Sequence, residues 1–247
     1  MTEYALAQRV LTLMDLTSLN DDDSVQQITD LIDGIDQHHA LPAAICVFPQ
    51  FVAHGKQRLL ARELQQINVA TVTNFPQGEQ SIDGVLQETE RALTEGADEI
   101  DLVLPYKQLL AGDPDTAWQY VHSTKQLCRN KSVLKVIIES GQLEDPVLIE
   151  QATEIAVLAG ADFVKTSTGK VPVNATLDAA RVILQTIKKT GKDVGFKAAG
   201  GVKTVEEAQQ YIYLAEDIMG ASWVNSQHFR FGASSLLSDV YRILNKG

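Results

Sequence analysis

The 247-residue sequence predicts a single domain, 1–247, folded as an eight-stranded (β/α) barrel of the TIM type with an extra helical segment at its N-terminus. Three observations lead there. Short, β-branched apolar runs alternate with longer stretches of helical periodicity along the whole chain. Helical patterns end in Gly-Ala-Asp or Gly-Ala-Ser at Gly96, Gly160 and Gly220, where glycine can take the left-handed turn that closes a helix. These glycines recur about every 60 residues; at two strand–helix units per step one unit is about 31 residues, and eight make about 250, the usual size of this barrel. An open, doubly wound sheet is the competing architecture.

The strand candidates, in order, are Ala43–Phe48, Asn68–Phe75, Glu99–Pro105, Leu134–Ser140, Asp162–Thr168, Asp193–Gly200, Ala221–Val224 and His228–Gly232. Helical segments such as SIDGVLQETERALTE and DPVLIEQATEIAVLA lie between them, with Ser81 and Asp145 as N-caps. The segment Glu3 to His38 reads as helical and is expected to cap the closed end of the barrel. Its start, Met1 to Asp15, lacks the basic and apolar pattern of a signal peptide, and the two cysteines are too few for a disulfide framework. A cytoplasmic protein is expected.

A strand buried on both faces should be almost continuously apolar, yet several here carry a charge in mid-strand. In EIDLVLP, Ile100 and Leu102 share the phase that packs on helices, which aims Asp101 into the barrel. The same alternation points Lys135 and Glu139 inward in LKVIIES, and Lys165 and Lys197 inward beside the outward Val164 and Phe196. An unpaired buried charge costs several kcal/mol, comparable to a whole stability margin. A lone inward lysine is ordinarily a salt-bridged core residue; three with an aspartate imply chemistry. A lysine becomes nucleophilic at neutral pH when burial and a neighbouring cation depress its pKa, and with a carbonyl compound it forms a Schiff base that accepts electrons from a breaking carbon–carbon bond. Asp101 is the group to move protons. Spacing leaves open which lysine reacts.

Glycines and hydroxyl residues follow the later strands in TSTGK, AAGGVK and FGASS. Each stands at a strand end before a helix, where backbone N–H groups and the helix dipole attract an anion, so a small phosphorylated carbonyl compound is the expected substrate. The composition agrees. With 21 Lys plus Arg against 32 Asp plus Glu, the net charge of −11 argues against a nucleic-acid backbone binder, and no apolar run is long enough to span a membrane.

The blocks LMDLTSLNDDD, AAICVFPQF, ATVTNFPQG, GADEIDLVLPY, LKVIIESG, AGADFVKTSTGK, VGFKAAGGVKT and HFRFGASSLL, in that order, resemble the deoxyribose-phosphate aldolases, which are class I, Schiff-base-forming enzymes. The resemblance implies reversible cleavage of 2-deoxy-D-ribose 5-phosphate to D-glyceraldehyde 3-phosphate and acetaldehyde, without cofactor or metal. It implies that Lys165 forms the Schiff base, Lys197 lowers its pKa and Asp101 relays protons. Gly169, Lys170, Gly200, Gly201, Gly232, Ser234 and Ser235 would surround the phosphate, with Lys203 beside them, and Lys135, Asp15, Thr17 and Cys46 would support the pocket. A homodimer is the assembly it suggests.

Two departures stand out. The family block usually reads FKPAGG followed by Arg; here Ala198 replaces Pro and Lys203 replaces Arg, so a weaker phosphate grip is expected. Some members also end in a tail with a tyrosine that assists proton transfer; Tyr241, the last tyrosine here, is expected to pack instead. A pyridoxal phosphate lyase and a non-catalytic sugar-phosphate-binding protein are the alternatives.

Overall fold

The computed structural model describes residues 1–246. Eight parallel strands close into a barrel in chain order: β1 (Met14–Thr17), β2 (Ala44–Val47), β3 (Asn68–Thr73), β4 (Glu99–Val103), β5 (Val133–Ile137), β6 (Phe163–Lys165), β7 (Gly195–Ala199) and β8 (Phe229–Ala233). The helices are α1 (Glu3–Thr12), α2 (Val25–Asp33), α3 (Val52–Ala61), α4 (Ile82–Thr94), α5 (Tyr106–Leu110), α6 (Pro114–Cys128), α7 (Ser140–Leu143), α8 (Pro146–Leu158), α9 (Leu177–Thr190), α10 (Val205–Met219) and α11 (Leu236–Leu244). Ser81 and Asp145 cap α4 and α8, accepting from the backbone N–H of Gly84 and Val147.

Eight strands are present, but one of them is not where the sequence pattern puts it. Met14–Thr17 lies within the segment read as helical, yet it closes the barrel: Asp15 stands opposite Ala44 of β2 and Gly232 of β8. Ala221–Val224 is no strand; after Gly220, at φ 99, Ala221–Trp223 forms a short 3-10 turn on the way to β8. Nor does Glu3–His38 cap the closed end. Its helix α1 packs on α10 and α11, and α2 on α3, so both belong to the outer layer. The fourth candidate also ends early, because Glu139 leaves the strand with φ 53 and ψ 57.

The Gly-Ala-Asp repeat is a structural device. Asp98 accepts from the Val69 N–H at 2.7 Å and from Lys56 of α3, while Asp162 accepts from the Leu134 N–H at 2.7 Å and from Lys125 of α6. Each aspartate thus ties the start of a neighbouring strand to a helix. The third copy carries Ser222 in place of the aspartate, and no strand follows it directly.

The outward faces of the strands and the inward faces of the helices form the main apolar core. Inside the barrel a small apolar cluster lies on the β2–β3 side, where Leu19, Ala44, Cys46, Ala70 and Val72 meet. Phe163 fills the interior against Gly195, where an added Cβ would lie 2.4 Å from its ring and 2.8 Å from the His228 carbonyl oxygen. Gly195→Ala is expected to cost about 1–3 kcal/mol, read as a drop of roughly 2–4 °C in Tm per kcal/mol. An unchanged Tm would contradict this packing.

Candidate active site

Where the strands end, a cavity of about 250 Å³ opens with Lys165 in its wall. The end of β8 and the loops after β6, β7 and β8 form most of the rest: Thr168, Gly169 and Lys170; Gly200, Gly201 and Lys203; Gly232, Ser234 and Ser235. Thr17, at the end of β1, and Asn20, after it, also line the cavity. All eight residues expected around a phosphate therefore converge on one cavity. Gly200 and Gly201 have φ of 78 and 89, a turn that residues with a Cβ rarely make. Two of these loops run straight into a helix, with Thr204, next to Lys203, at the N-cap of α10 and Ser235 at the N-cap of α11; α9 begins only at Leu177, so the loop after β6 presents no helix terminus.

Beneath the cavity the inward charges are paired. Asp101 is completely buried; its Oδ2 accepts from both Lys165 and Lys197 at 2.8 Å, and its Oδ1 accepts from Lys135 at 2.7 Å. Lys197 also donates to Asp15. Lys135 is 2.5 Å from Glu99 and 3.7 Å from Asp15. Lys165 thus contacts one carboxylate, Lys197 two and Lys135 three. Lys165 alone of the three reaches the cavity, with 3% exposure against 0% for the others. Asp15 supports the site from below, and the Thr17 hydroxyl donates to the Asp15 carbonyl at 2.9 Å. Cys46 is buried on the apolar side of the interior, outside the cavity wall, and burial pushes its thiol up.

These environments separate the three amines. Burial, with the Lys197 ammonium beside it, holds the Lys165 amine below the usual lysine range against the pull of Asp101. Lys197 is equally buried, but Asp101 and Asp15 outweigh burial and keep it charged. Lys135 is raised in the same way by Asp101 and Glu99. Burial alone would raise the Asp101 carboxyl, yet the three lysines hold it well below the ordinary range.

Sequence reading does not single out two members of this cluster, Glu99 and Arg230, although the alternation contains both. Glu99 shares the inward phase of Asp101, and Arg230 lies between the outward Phe229 and Phe231. The Arg230 guanidinium donates to Asp15 at 2.6 Å and to Glu99 at 3.0 Å, and it lies 5.7 Å from the centre of the Phe163 ring. Glu139, expected in the strand interior, instead stands at the head of α7. Its carboxylate accepts from the Thr168 hydroxyl at 2.5 Å and from the Thr168 N–H at 3.2 Å, buttressing the loop after β6.

A buried amine held below the usual lysine range at the mouth of a parallel barrel, ringed by glycine and hydroxyl residues, fits the Schiff-base chemistry expected from the sequence. A family model described as DeoC/LacD family aldolase covers residues 9–240. The chain belongs to the DeoC/LacD aldolase family. Among solved structures, a candidate deoxyribose-phosphate aldolase of Coccidioides immitis is 26% identical with a TM-score of 0.84, over 96% of this chain and 86% of that one. One of Toxoplasma gondii ME49 is 22% identical with a TM-score of 0.91, over 99% and 96%. The deoxyribose phosphate aldolase of Aeropyrum pernix, described as tetrameric, is 22% identical with a TM-score of 0.75, over 100% and 98%. The last two likenesses concern the fold.

In this DeoC/LacD aldolase the two substitutions in and just after the FKPAGG block fall in different places. Ala198 is completely buried in the outer core and faces away from the cavity, whereas its neighbour Ala199 lines it. Lys203 is exposed on the cavity rim, and among the described residues its ammonium has no carboxylate within 4 Å. Lys170 is 3.8 Å from the fully exposed Asp21. The Tyr241 hydroxyl accepts from the Asp36 N–H at 3.0 Å, which gives it a packing role.

Proposed function

We propose that this aldolase is a deoxyribose-phosphate aldolase, cleaving 2-deoxy-D-ribose 5-phosphate reversibly to D-glyceraldehyde 3-phosphate and acetaldehyde through a Schiff base on Lys165. The observation that carries the reading is the position of the Lys165 amine. It is the least compensated of three buried lysines, and it opens on a cavity lined by glycine and hydroxyl residues at the ends of β6, β7 and β8. A cytoplasmic place in deoxyribonucleotide catabolism and a homodimeric assembly go with this reading.

The Lys165 Nζ lone pair adds to C1 of the open-chain sugar, and loss of water from the carbinolamine leaves a protonated imine. The C3 hydroxyl then gives up its proton as the C2–C3 bond breaks. Its electrons form C1=C2 and neutralise the iminium nitrogen, while C3 leaves as the aldehyde carbon of glyceraldehyde 3-phosphate. Protonation at C2 and addition of water release acetaldehyde and restore the amine. Asp101, shared by Lys165 and Lys197, is assigned the proton transfers at the carbinolamine and the C3 hydroxyl. The three lysines hold its carboxyl well below the ordinary range, so it stands as a carboxylate between transfers. Gly169, Lys170, Gly200, Gly201, Lys203, Gly232, Ser234 and Ser235 are assigned the phosphate.

Borohydride reduction in the presence of acetaldehyde or deoxyribose 5-phosphate, followed by peptide mass mapping, is expected to find the adduct on Lys165 and activity unaffected by a chelator. No adduct, or loss of activity to the chelator, would sink the mechanism. Replacing Lys203 by Arg is expected to raise preference for the phosphorylated over the unphosphorylated sugar, because a guanidinium grips phosphate through two hydrogen bonds. An unchanged preference would remove Lys203 from the phosphate site.

A further inference from the structure

The interior ionic cluster has one more cation than it has carboxylates. Its acids are Asp15 from β1 and Glu99 and Asp101 from β4; its bases are Lys135, Lys165, Lys197 and Arg230, one each from β5 to β8. The other two strands bring no charge to it. From β2 comes the buried Cys46 thiol, whose raised pKa keeps it neutral, and β3 offers small apolar side chains and the Asn68 amide, which donates to Glu99 at 2.9 Å. Glu139, beyond β5, is committed to Thr168 and among the described residues forms no ion pair; burial pushes its carboxyl up, and it acts on Lys165 only from a distance, outside the paired cluster. Lys170 and Lys203 lie outside, on the rim of the cavity.

A buried surplus charge is costly and is relieved by loss of a proton where one can be lost. Arg230 cannot relieve it, because a guanidinium stays protonated in proteins. Lys135 is held charged by three carboxylates and Lys197 by two, so the surplus falls on Lys165, which has one. We propose that Arg230, with Glu99 as its counter-charge, is a positioning residue that acts on Lys165 from beneath: its fixed charge is the surplus that makes Lys165 the neutral lysine. Without Arg230 three carboxylates face three lysines. Glu99 then pairs with Lys135, Asp15 with Lys197 and Asp101 with Lys165, and all three lysines stay protonated. This inference rests on the reading of Lys165 as the Schiff-base lysine.

The test follows adduct formation between acetaldehyde and Lys165 as a function of pH, trapped with cyanoborohydride and located by mass. Arg230→Met removes a positive charge, so the rising limb of the profile is expected to move up by about one pH unit. Glu99→Gln removes a negative charge, and its limb is expected to move down. Arg230→Lys keeps the charge and is expected to restore the wild-type limb even though the two-pronged contact with Asp15 and Glu99 is lost. A merely structural role would damage all three variants alike without opposite shifts. Limbs that stay in place, or move the same way in Arg230→Met and Glu99→Gln, would overturn the proposal while leaving Lys165 as the nucleophile. Absence of any Lys165 adduct in the wild type would instead overturn the Schiff-base reading and this proposal with it. If Arg230→Met fails to fold, the downward shift in Glu99→Gln decides: present, it supports the proposal; absent, it overturns it.

Discussion

Lys165→Met is expected to remove both the acetaldehyde adduct and aldol cleavage, with activity falling by at least about 10⁴-fold, the scale on which loss of a covalent nucleophile is felt. The fold is expected to survive. Methionine has nearly the volume of the lysine stem, and Asp101 keeps its contacts to Lys135 and Lys197, so no carboxylate is left unpaired. Circular dichroism and Tm should match the parent while borohydride trapping finds no labelled peptide. An adduct that reappears on Lys197 with most of the activity retained would show that the roles of the two lysines were assigned the wrong way round.

Lys197→Met is expected to leave the nucleophile in place and protonate it. The buried ammonium of Lys197 shares the Asp101 oxygen with Lys165 and helps to hold its amine down. Removing that charge raises the Lys165 pKa toward the ordinary value. Only the neutral amine attacks, and it exists above that pKa, so the rising limb of kcat/KM moves to higher pH. A lysine at an unperturbed pKa near 10.4 is only about 0.1% neutral at pH 7.5, which sets the expected loss at up to roughly 10³-fold. Activity should then recover about tenfold per pH unit on going alkaline, until the new pKa is reached. A loss that does not depend on pH would assign Lys197 to proton transfer or to structure alone.

Much of this site is legible in the sequence because side-chain direction along a strand is a local property. Alternation by two residues places Asp101, Lys135, Lys165 and Lys197 on one face, and the structure brings all four together. The same rule contains Glu99 and Arg230. They are easy to pass over because Glu99 stands at the first residue of its strand and Arg230 sits in a run whose aromatic neighbours dominate the pattern. Glu139 is misread for a complementary reason. Alternation holds only while the strand lasts, and β5 ends at Ile137.

Strand membership is harder to read. Met14–Thr17 has four residues, one of them a buried aspartate, and so lacks the apolar alternation of a strand, while Ala221–Val224 looks more strand-like and is not one. What distinguishes them is pairing with distant segments: β1 hydrogen-bonds to β2 on one side and to β8 on the other, and that ladder is invisible in a four-residue window.

From the sequence alone came the barrel class, the inward lysines and aspartate, and the three loops that ring the cavity. Only the tertiary structure decided which strand closes the barrel, how the charges pair, and that Lys165 is the amine with one carboxylate partner and a route to the cavity. Direction within a strand follows from neighbouring residues, whereas closure and the protonation of a buried amine follow from charges and backbone groups brought together from opposite ends of the chain.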